Sequence, residues 1–468
     1  MNRIQVEVLI IGNGFAGIVA ANRLAAAGMD VVLLDENIHI GGQLLRRIPA
    51  QLGAAKVYHP DYVKKIGNRF IAALKEKKIT ILNRARVLGI YPGHEVLIEE
   101  NEKKVRTLTA QRIIMATGAR EKFLPFPGWT KPGVLSSGAV QVLIKSSGVL
   151  PARDLVIAGS GVFLYSVAYE CLKAGAHVRA VLEQSRLVDK LPLAWQLLHQ
   201  LPKLTEGTRF ISKLLLSAVP LHFRTRIIEA RGNGALEQVV SAPVDLSGKT
   251  INGREKTYRT PLLAVGYGFS ANIELAQMAG CQSEYMAERG GWVVQTDSHL
   301  ETSLPDIYAA GEITGIAGAL KSICEGNIAA LAILGRQGRM ATADYEAEMA
   351  KLLRERHHHL QFGNYFNSLY SIPAAAYLDI PDDTLVCRCE DVSMGDIKKA
   401  VANGYDTPAT LKIALRSAMG DCQGRVCGPA LYDILAALTG RSQAAMTPLV
   451  VRPPIKPVRI DSLASFMD

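Results

Sequence analysis

The chain has 468 residues, a formal charge of +10, 49% hydrophobic and 21% charged residues. That length exceeds what one core spans, so two or three domains are expected, and the composition excludes a disordered chain. No apolar run reaches the roughly 18 residues that a bilayer crossing needs. No helix-turn-helix, zinc-finger or aromatic–basic pattern accompanies the charge, so it is left to a solvated surface, anionic cofactors, an acidic protein or anionic lipid rather than nucleic acid.

The apolar stretch Val6–Ile11 runs straight into a glycine-rich turn and an amphipathic helix, so it reads as a first core strand and not as an export signal. The turn is Gly12-Asn13-Gly14-Phe15-Ala16-Gly17, the helix runs to Ala27, and Gly28 stops it. Val31–Leu34 form the next strand, ending at Asp35-Glu36. In such a β-α-β unit Gly12 permits the tight turn, Gly14 lets backbone approach a pyrophosphate, and Gly17 lets helix and strand pack closely. The helix start offers free N–H groups and its positive dipole end to phosphate, and Asp35 stands where a carboxylate accepts from a ribose diol. Strand, turn, helix, strand and acid in order predict a dinucleotide site.

Farther on come Gly41-Gly42-Gln43, then the apolar strand Ile113–Met115 ending in Ala116-Thr117-Gly118. A second unit of the same plan follows: strand Leu155–Ala158, turn Gly159-Ser160-Gly161, helix Val162–Ala174, strand Val178–Leu182 and Glu183. Leu164 stands where a third glycine belongs, which forces that helix away from its strand. Glu183 is still placed to hold a ribose. Three readings stay open here: NAD(P)H for hydride delivery, an adenine nucleotide such as ATP in a structural role, or an empty remnant. Residues 186–218 read as a helical insertion, and Thr302–Glu312 as a strand delivering a carboxylate to a glycine turn at Gly311.

Residues 346–383 read as a connector, with His357-His358-His359 in solvent. In 384–443, Cys387-Arg388-Cys389 precedes Cys422-Gln423-Gly424-Arg425-Val426-Cys427. Four thiolates complete a [2Fe–2S] centre with two per iron, whereas zinc knuckles usually put two residues between cysteines. Val392–Asn403 and Ala430–Leu438 are predicted helices beside it, and the tail 444–468, with Pro453-Pro454 and Pro457, is predicted to run extended. Cys171, Cys281 and Cys324 stand alone in apolar context as core residues. Seven cysteines without an export signal fit a reducing compartment, so a cytoplasmic chain is expected, with peripheral attachment to the inner face of the membrane left open.

The first dinucleotide unit, Gly41-Gly42-Gln43, Ala116-Thr117-Gly118 and Thr302–Glu312 together resemble the glutathione-reductase-like flavoprotein superfamily, over about residues 5–345. The resemblance implies an α/β fold with two nested Rossmann-like domains: 1–120 with 271–345 for FAD, and 121–270 for a second, degenerate nucleotide fold. It also implies Glu312 at the ribityl or pyrophosphate of FAD, Val87 against the adenine, and a helix starting near Gly326 aimed at the flavin. The cysteine pair of the superfamily's disulphide reductases is missing.

The cysteine spacing resembles the bacterioferritin-associated ferredoxin-like domain, a small helical [2Fe–2S] module. The whole order, with the Gly266-Tyr267-Gly268-Phe269 turn, resembles the α-type subunit of heteromeric amino-acid dehydrogenases acting on opines, proline, hydroxyproline or, with cyanide formation, glycine. That resemblance implies a D-amino-acid-oxidase-like flavoprotein partner, a small ferredoxin-like companion chain, an FMN between subunits, and an external acceptor or quinone. No residue stands out as a catalytic base or nucleophile. A self-contained NAD(P)H:acceptor oxidoreductase and a non-catalytic iron–sulfur protein are the alternatives.

Overall fold

The computed structural model describes residues 4–46, 61–75, 78–186 and 201–467. Ile4–Ile11 and Val31–Leu34 lie parallel, joined by the helix Phe15–Ala26. Val8, Leu9, Ile10, Val31 and Leu33 are all fully buried, because a parallel sheet covered on both faces needs apolar side chains at every position. The first sheet runs Ile79–Leu82, Val31–Leu34, Ile4–Ile11, Lys104–Met115, Glu95–Glu100, Ala85–Tyr91. Lys104–Met115 changes partner along its length. Its first half pairs antiparallel with Glu95–Glu100, and its end pairs parallel with Ile4–Ile11 on one side and Ile307–Ala309 on the other.

The second sheet is wholly parallel: Leu221–Phe223, His177–Glu183, Asp154–Gly159, Leu263–Gly266, Val134–Ser136. The chain leaves the first sheet after Met115 and comes back to it at Ile307–Ala309. The outgoing segment Ala119–Glu121 and the returning segment Phe269–Ala271 pair antiparallel, a two-stranded neck between the folds.

Three local expectations meet the structure differently. The helix expected near Gly326 begins at Ala319, because Gly315 and Gly318, at φ of +134° and +92°, form a turn that only there gives way to helix. Gly326 lies mid-helix, where this helix crosses Phe15–Ala26. A Cβ there would sit 2.3 Å from the Ala16 carbonyl oxygen, so glycine is required by close approach rather than by a helix start. The connector is mostly one 28-residue helix, Thr342–Leu369, which buries Met349 and Leu352 against Ala319–Arg336 and pairs Glu348 with both Nη atoms of Arg23. The tail runs without regular structure from Thr447 to Arg459 and then closes in a helix, Ile460–Met467.

The insertion holds the helix Leu201–Leu216; residues 187–200 fall outside the described part. Beside the cysteines, Met394–Ala402 and Cys427–Thr439 are helical, and a third helix, Pro408–Leu415, has Thr407 as its N-cap and proline in its first turn. Among the described residues no helix is long and apolar enough to cross a membrane.

Gly326→Ala sets two effects against each other. Helix propensity alone would stabilise by roughly 1 kcal/mol, but the contact with Ala16 should cost about 1–3 kcal/mol as overpacking. A lowered thermal midpoint is the expected result.

Candidate functional site

The first glycine turn is built by contacts too close for side chains. A Cβ on Gly17 would lie 1.9 Å from the Gly12 carbonyl oxygen, while one on Gly14 would meet nothing within 4 Å among the described residues. The turn is therefore tight behind and open in front, a cradle that fits a pyrophosphate at a helix start. Phe15 and Ala16 are buried in the first turn of that helix. Asp35, almost fully buried, accepts from the Asn13 backbone N–H (2.8 Å) and from the backbone and side chain of Asn37 (2.8 and 2.7 Å). Asn13 Oδ1 in turn accepts from the Gly42 N–H, at 3.3 Å. Gln43 is exposed and accepts from Arg46 Nε. Glu36, also exposed, pairs with Lys456 of the tail. Val87 is buried in the core of the sheet, opposite Ile98. Ala116 N–H donates to Ile11, placing Ala116-Thr117-Gly118 directly beside the first turn.

The glycine turn at Gly311 rests on a network of buried charge. Lys321 Nζ donates to the carbonyls of Gly311 (2.6 Å) and Gly315 (3.1 Å), to Thr314 Oγ1, and to Glu325 Oε2 at 2.8 Å. Glu325 Oε2 also accepts from Gly311 N–H (2.9 Å) and Thr314 Oγ1 (2.7 Å), and its Oε1 from Arg356 Nε (2.8 Å). Lys321 and Glu325 are both 0% exposed. Burial alone would raise the Glu325 carboxyl, but Lys321 and Arg356 hold it below its ordinary value. Glu312 Oε1 accepts from Ala317 and Gly318 N–H (3.2 and 2.7 Å), and burial nevertheless pushes that carboxyl up. Glu312 thus faces the start of the helix Ala319–Arg336.

In the second fold Glu183 accepts from Gly161 N–H (3.1 Å) and from Ser185 (backbone 3.0 Å, hydroxyl 2.8 Å). Leu164 is fully buried behind the turn. Ser160 Oγ donates to the carbonyl of Tyr370, at 3.2 Å, at the end of the long helix. The Tyr370 phenol, almost fully buried, is raised by burial and by the Glu183 charge. One residue of the chain itself thereby holds the turn through its carbonyl and feels the charge of the acid that a nucleotide would use.

The four cysteines converge from a hairpin and a helix start. Leu385–Cys387 and Val392–Ser393 pair antiparallel, with Cys387 ending the first strand and Cys389 in the turn between them, while Cys422 lies in the turn before the helix Cys427–Thr439, which Cys427 opens. Their thiols form a chain of neighbours within hydrogen-bonding reach: Cys389 to Cys422, Cys422 to Cys427, Cys427 to Cys387. The Cys427 thiol and the N–H groups of Ala418, Glu390 and Cys389, against burial, bring Cys387 down to about 6. Cys427, the Val426 and Gly424 N–H groups and Cys389, again against burial, bring Cys422 down to about 4. Cys427 is raised by sharing its proton with both. Thiolates held by backbone N–H groups are the donors that an iron–sulfur group requires. Among the described residues no three or more His, Cys, Asp or Glu close on a single metal ion, and a two-iron group spreads its ligands over two.

The tail straps this loop to the first fold. Arg425 Nη2 and Gln423 Nε2 donate to the carbonyls of Ile455 (2.5 Å) and Pro454 (3.4 Å). Ile455 N–H donates to Leu88, at 3.1 Å, with its side chain in the core of the first sheet. A cavity of about 390 Å³ lies between the cluster domain and the first fold, lined among others by Arg120, Lys122, Tyr285, Trp292, Arg452 and Tyr432.

Residues 6–343 match the pyridine nucleotide-disulphide oxidoreductase family. The chain belongs to that family. Residues 385–437 of this family member also match the BFD-like [2Fe-2S] binding domain. It is therefore an oxidoreductase-type flavoprotein carrying a [2Fe–2S] domain, and the paired cofactor expectation rests on both matches. It is similar to hydrogen cyanide synthase subunit HcnB of Pseudomonas aeruginosa, 32% identical over 96% of each chain. An opine oxidase subunit of Rhizobium meliloti is 30% identical over 98% of this chain and 87% of the relative. The L-proline dehydrogenase of P. horikoshii shares the fold, with a TM-score of 0.72 at 22% identity over 98% of this chain and 80% of that one.

Lys321, Arg356 and Tyr370 escaped the sequence reading. Lys321 and Glu325 left a signal: a Lys–Glu pair four apart on one face of an otherwise apolar helix. Tyr370 left none, being remote in sequence from what it touches, and Arg356 is one charge among many in a long helix.

Two outcomes follow. Glu325→Gln strands a buried lysine and should cost about 3–5 kcal/mol, read as a lower denaturation midpoint. In cluster-free protein, Cys422 is an anion above pH about 4, whereas burial pushes Cys171 and Cys324 up to about 12. Iodoacetamide should label Cys422 and leave Cys171 and Cys324 untouched from pH 8 down to about 6, checked by peptide mass.

Proposed function

We propose that this chain is the FAD- and [2Fe–2S]-containing electron-transfer subunit of a heteromeric amino-acid dehydrogenase of the opine, proline, hydroxyproline or glycine type. The observation that carries the reading is the tail strap, which ties a four-thiol loop to the very fold that cradles a dinucleotide. Bound FAD supplies acceptance of two electrons together and their release one at a time, and a [2Fe–2S] group takes one. The chain's own residues do the holding. Gly14 and the helix start after it receive pyrophosphate, Asp35 the ribose, and the Gly311 turn, stiffened by Lys321 and Glu325, the rest of the flavin nucleotide. Cys387, Cys389, Cys422 and Cys427 hold the irons.

Substrate oxidation is assigned to a partner, a flavoprotein of the D-amino-acid-oxidase type. A small ferredoxin-like chain is a further member, and an external acceptor or quinone is the sink. The relatives named as subunits support this division of labour. The cations and rings of the 390 Å³ cavity suit a phosphate-bearing planar ring, so we assign it to the additional FMN. The bond from Ser160 to the Tyr370 carbonyl, with Glu183 already accepting from Gly161 and Ser185, supports an empty remnant in the second fold, over NAD(P)H or ATP.

The chain purified without oxygen should contain FAD, iron and acid-labile sulfide. Neither NADH nor NADPH should bleach its flavin in anaerobic stopped flow, and an amino acid should reduce a dye only once the partner flavoprotein is added. Bleaching by either nicotinamide would replace this reading with an NAD(P)H:acceptor oxidoreductase, and absence of FAD with a non-catalytic iron–sulfur protein.

A further inference from the structure

We propose that Arg120 is a positioning residue that joins the turn beside the FAD site to the cluster loop, tuning the cluster and carrying the contact across which electrons pass; this rests on the two-cofactor reading above. Ala116-Thr117-Gly118 is locked to Asn272 by three bonds: Thr117 Oγ1 donates to the Asn272 carbonyl (2.7 Å), Asn272 Nδ2 to the Thr117 carbonyl (2.9 Å), and Asn272 N–H to the Gly118 carbonyl (3.0 Å). Arg120 Nη1 donates to Asn272 Oδ1, at 2.8 Å. Its Nε donates to the backbone carbonyl of Arg425, at 3.0 Å, inside the loop between Cys422 and Cys427. Its Nη2 pairs with Glu274. Arg425 Nη1 then donates to the Cys422 carbonyl, at 3.3 Å. An unbroken series of hydrogen bonds thus runs from the flavin-side turn to a cluster cysteine, and Arg120 is its one member that touches both sides.

The guanidinium suits this place because three acceptors lie in three directions. A planar fork satisfies them together, whereas an ammonium is a point donor. The pair is well sheltered: the Arg120 and Glu274 side chains are 22% and 13% exposed. Burial alone would raise the Glu274 carboxyl, yet Arg120 and then Arg425 bring it below its usual range, so a carboxylate and two cations stand beside the loop. Outer groups of this kind orient ligands and set potentials. Reduction adds negative charge to the cluster. Loss of the Arg120 cation, leaving Glu274 beside the loop, therefore disfavours the reduced state.

The test compares wild type, Arg120→Gln and Arg120→Lys, each purified without oxygen and assayed for FAD, FMN, iron and sulfide. The cluster's EPR signal is followed at fixed potentials, and electron redistribution from flavin to cluster is followed after a reducing flash. Arg120→Gln with full cofactor content should show a reduced-to-oxidised ratio about tenfold lower, a midpoint about 59 mV more negative for one electron, and transfer at least about tenfold slower, of the size outer-shell groups command. Arg120→Lys should restore the ratio but not the rate. Should Arg120→Gln shed FAD or iron, Asn272→Ala, which keeps the Arg120–Glu274 pair, should slow transfer at an unchanged ratio. Full cofactor content with ratio and rate both at wild-type values overturns the proposal alone. A wild type holding FAD without iron or sulfide overturns the two-cofactor reading and this inference with it.

Discussion

A lysine and a glutamate with no exposure to water, four residues apart on one helix, hold this molecule's architecture together. Isolated buried charge is among the most costly things a protein can contain, and here each charge is surrounded by partners: two carbonyls, a hydroxyl and a carboxylate for Lys321; a backbone N–H, a hydroxyl, the ammonium and a guanidinium for Glu325. Such a network is satisfied in one arrangement only. It fixes the Gly311–Gly315 turn, the helix that follows and, through Arg356, the 28-residue helix behind it. Remove that arrangement and the returning strand Ile307–Ala309 has no defined continuation.

Much else is placed by those two helices. Ala319–Arg336 crosses the first helix at Gly326 with near-contact of backbones, which sets the height of the glycine cradle above the sheet. Thr342–Leu369 carries the chain across to Tyr370, whose carbonyl accepts from Ser160 of the second turn and whose phenol is raised by burial and the Glu183 charge. The same long helix therefore ends against a nucleotide fold it does not belong to. Among the described residues both turns are open in front, at Gly14 and at Gly161, and what sets the second apart is the bond from Ser160 to the Tyr370 carbonyl and the Tyr370 phenol that feels the Glu183 charge.

Which parts are legible in the sequence follows from how local their causes are. Both β-α-β units, Asp35 and Glu183 at their strand ends, and the four cysteines all announce themselves through spacing within a few tens of residues, and the structure has each unit where the pattern put it. The helix start is misplaced at Gly326, because a glycine required by a crossing helix looks in sequence like a glycine that begins one. The tail's prolines indicate a run without regular structure but not the helix after it. Arg120, Asn272 and Tyr370 are invisible: each acts on a residue 150 or more positions away, or on backbone atoms that carry no sequence signature. Arg356, reaching Glu325 only 31 positions back, is hidden instead among the charges of a long helix.

The strap formed by Pro454, Ile455 and Lys456 has a temporal meaning. It ties the cysteine loop to Leu88 and Glu36, and it is translated after both. Domains fold as they emerge, N-terminal parts first. The two parts that the strap joins both precede it in the chain, so their fastening is the last of the three to be synthesised.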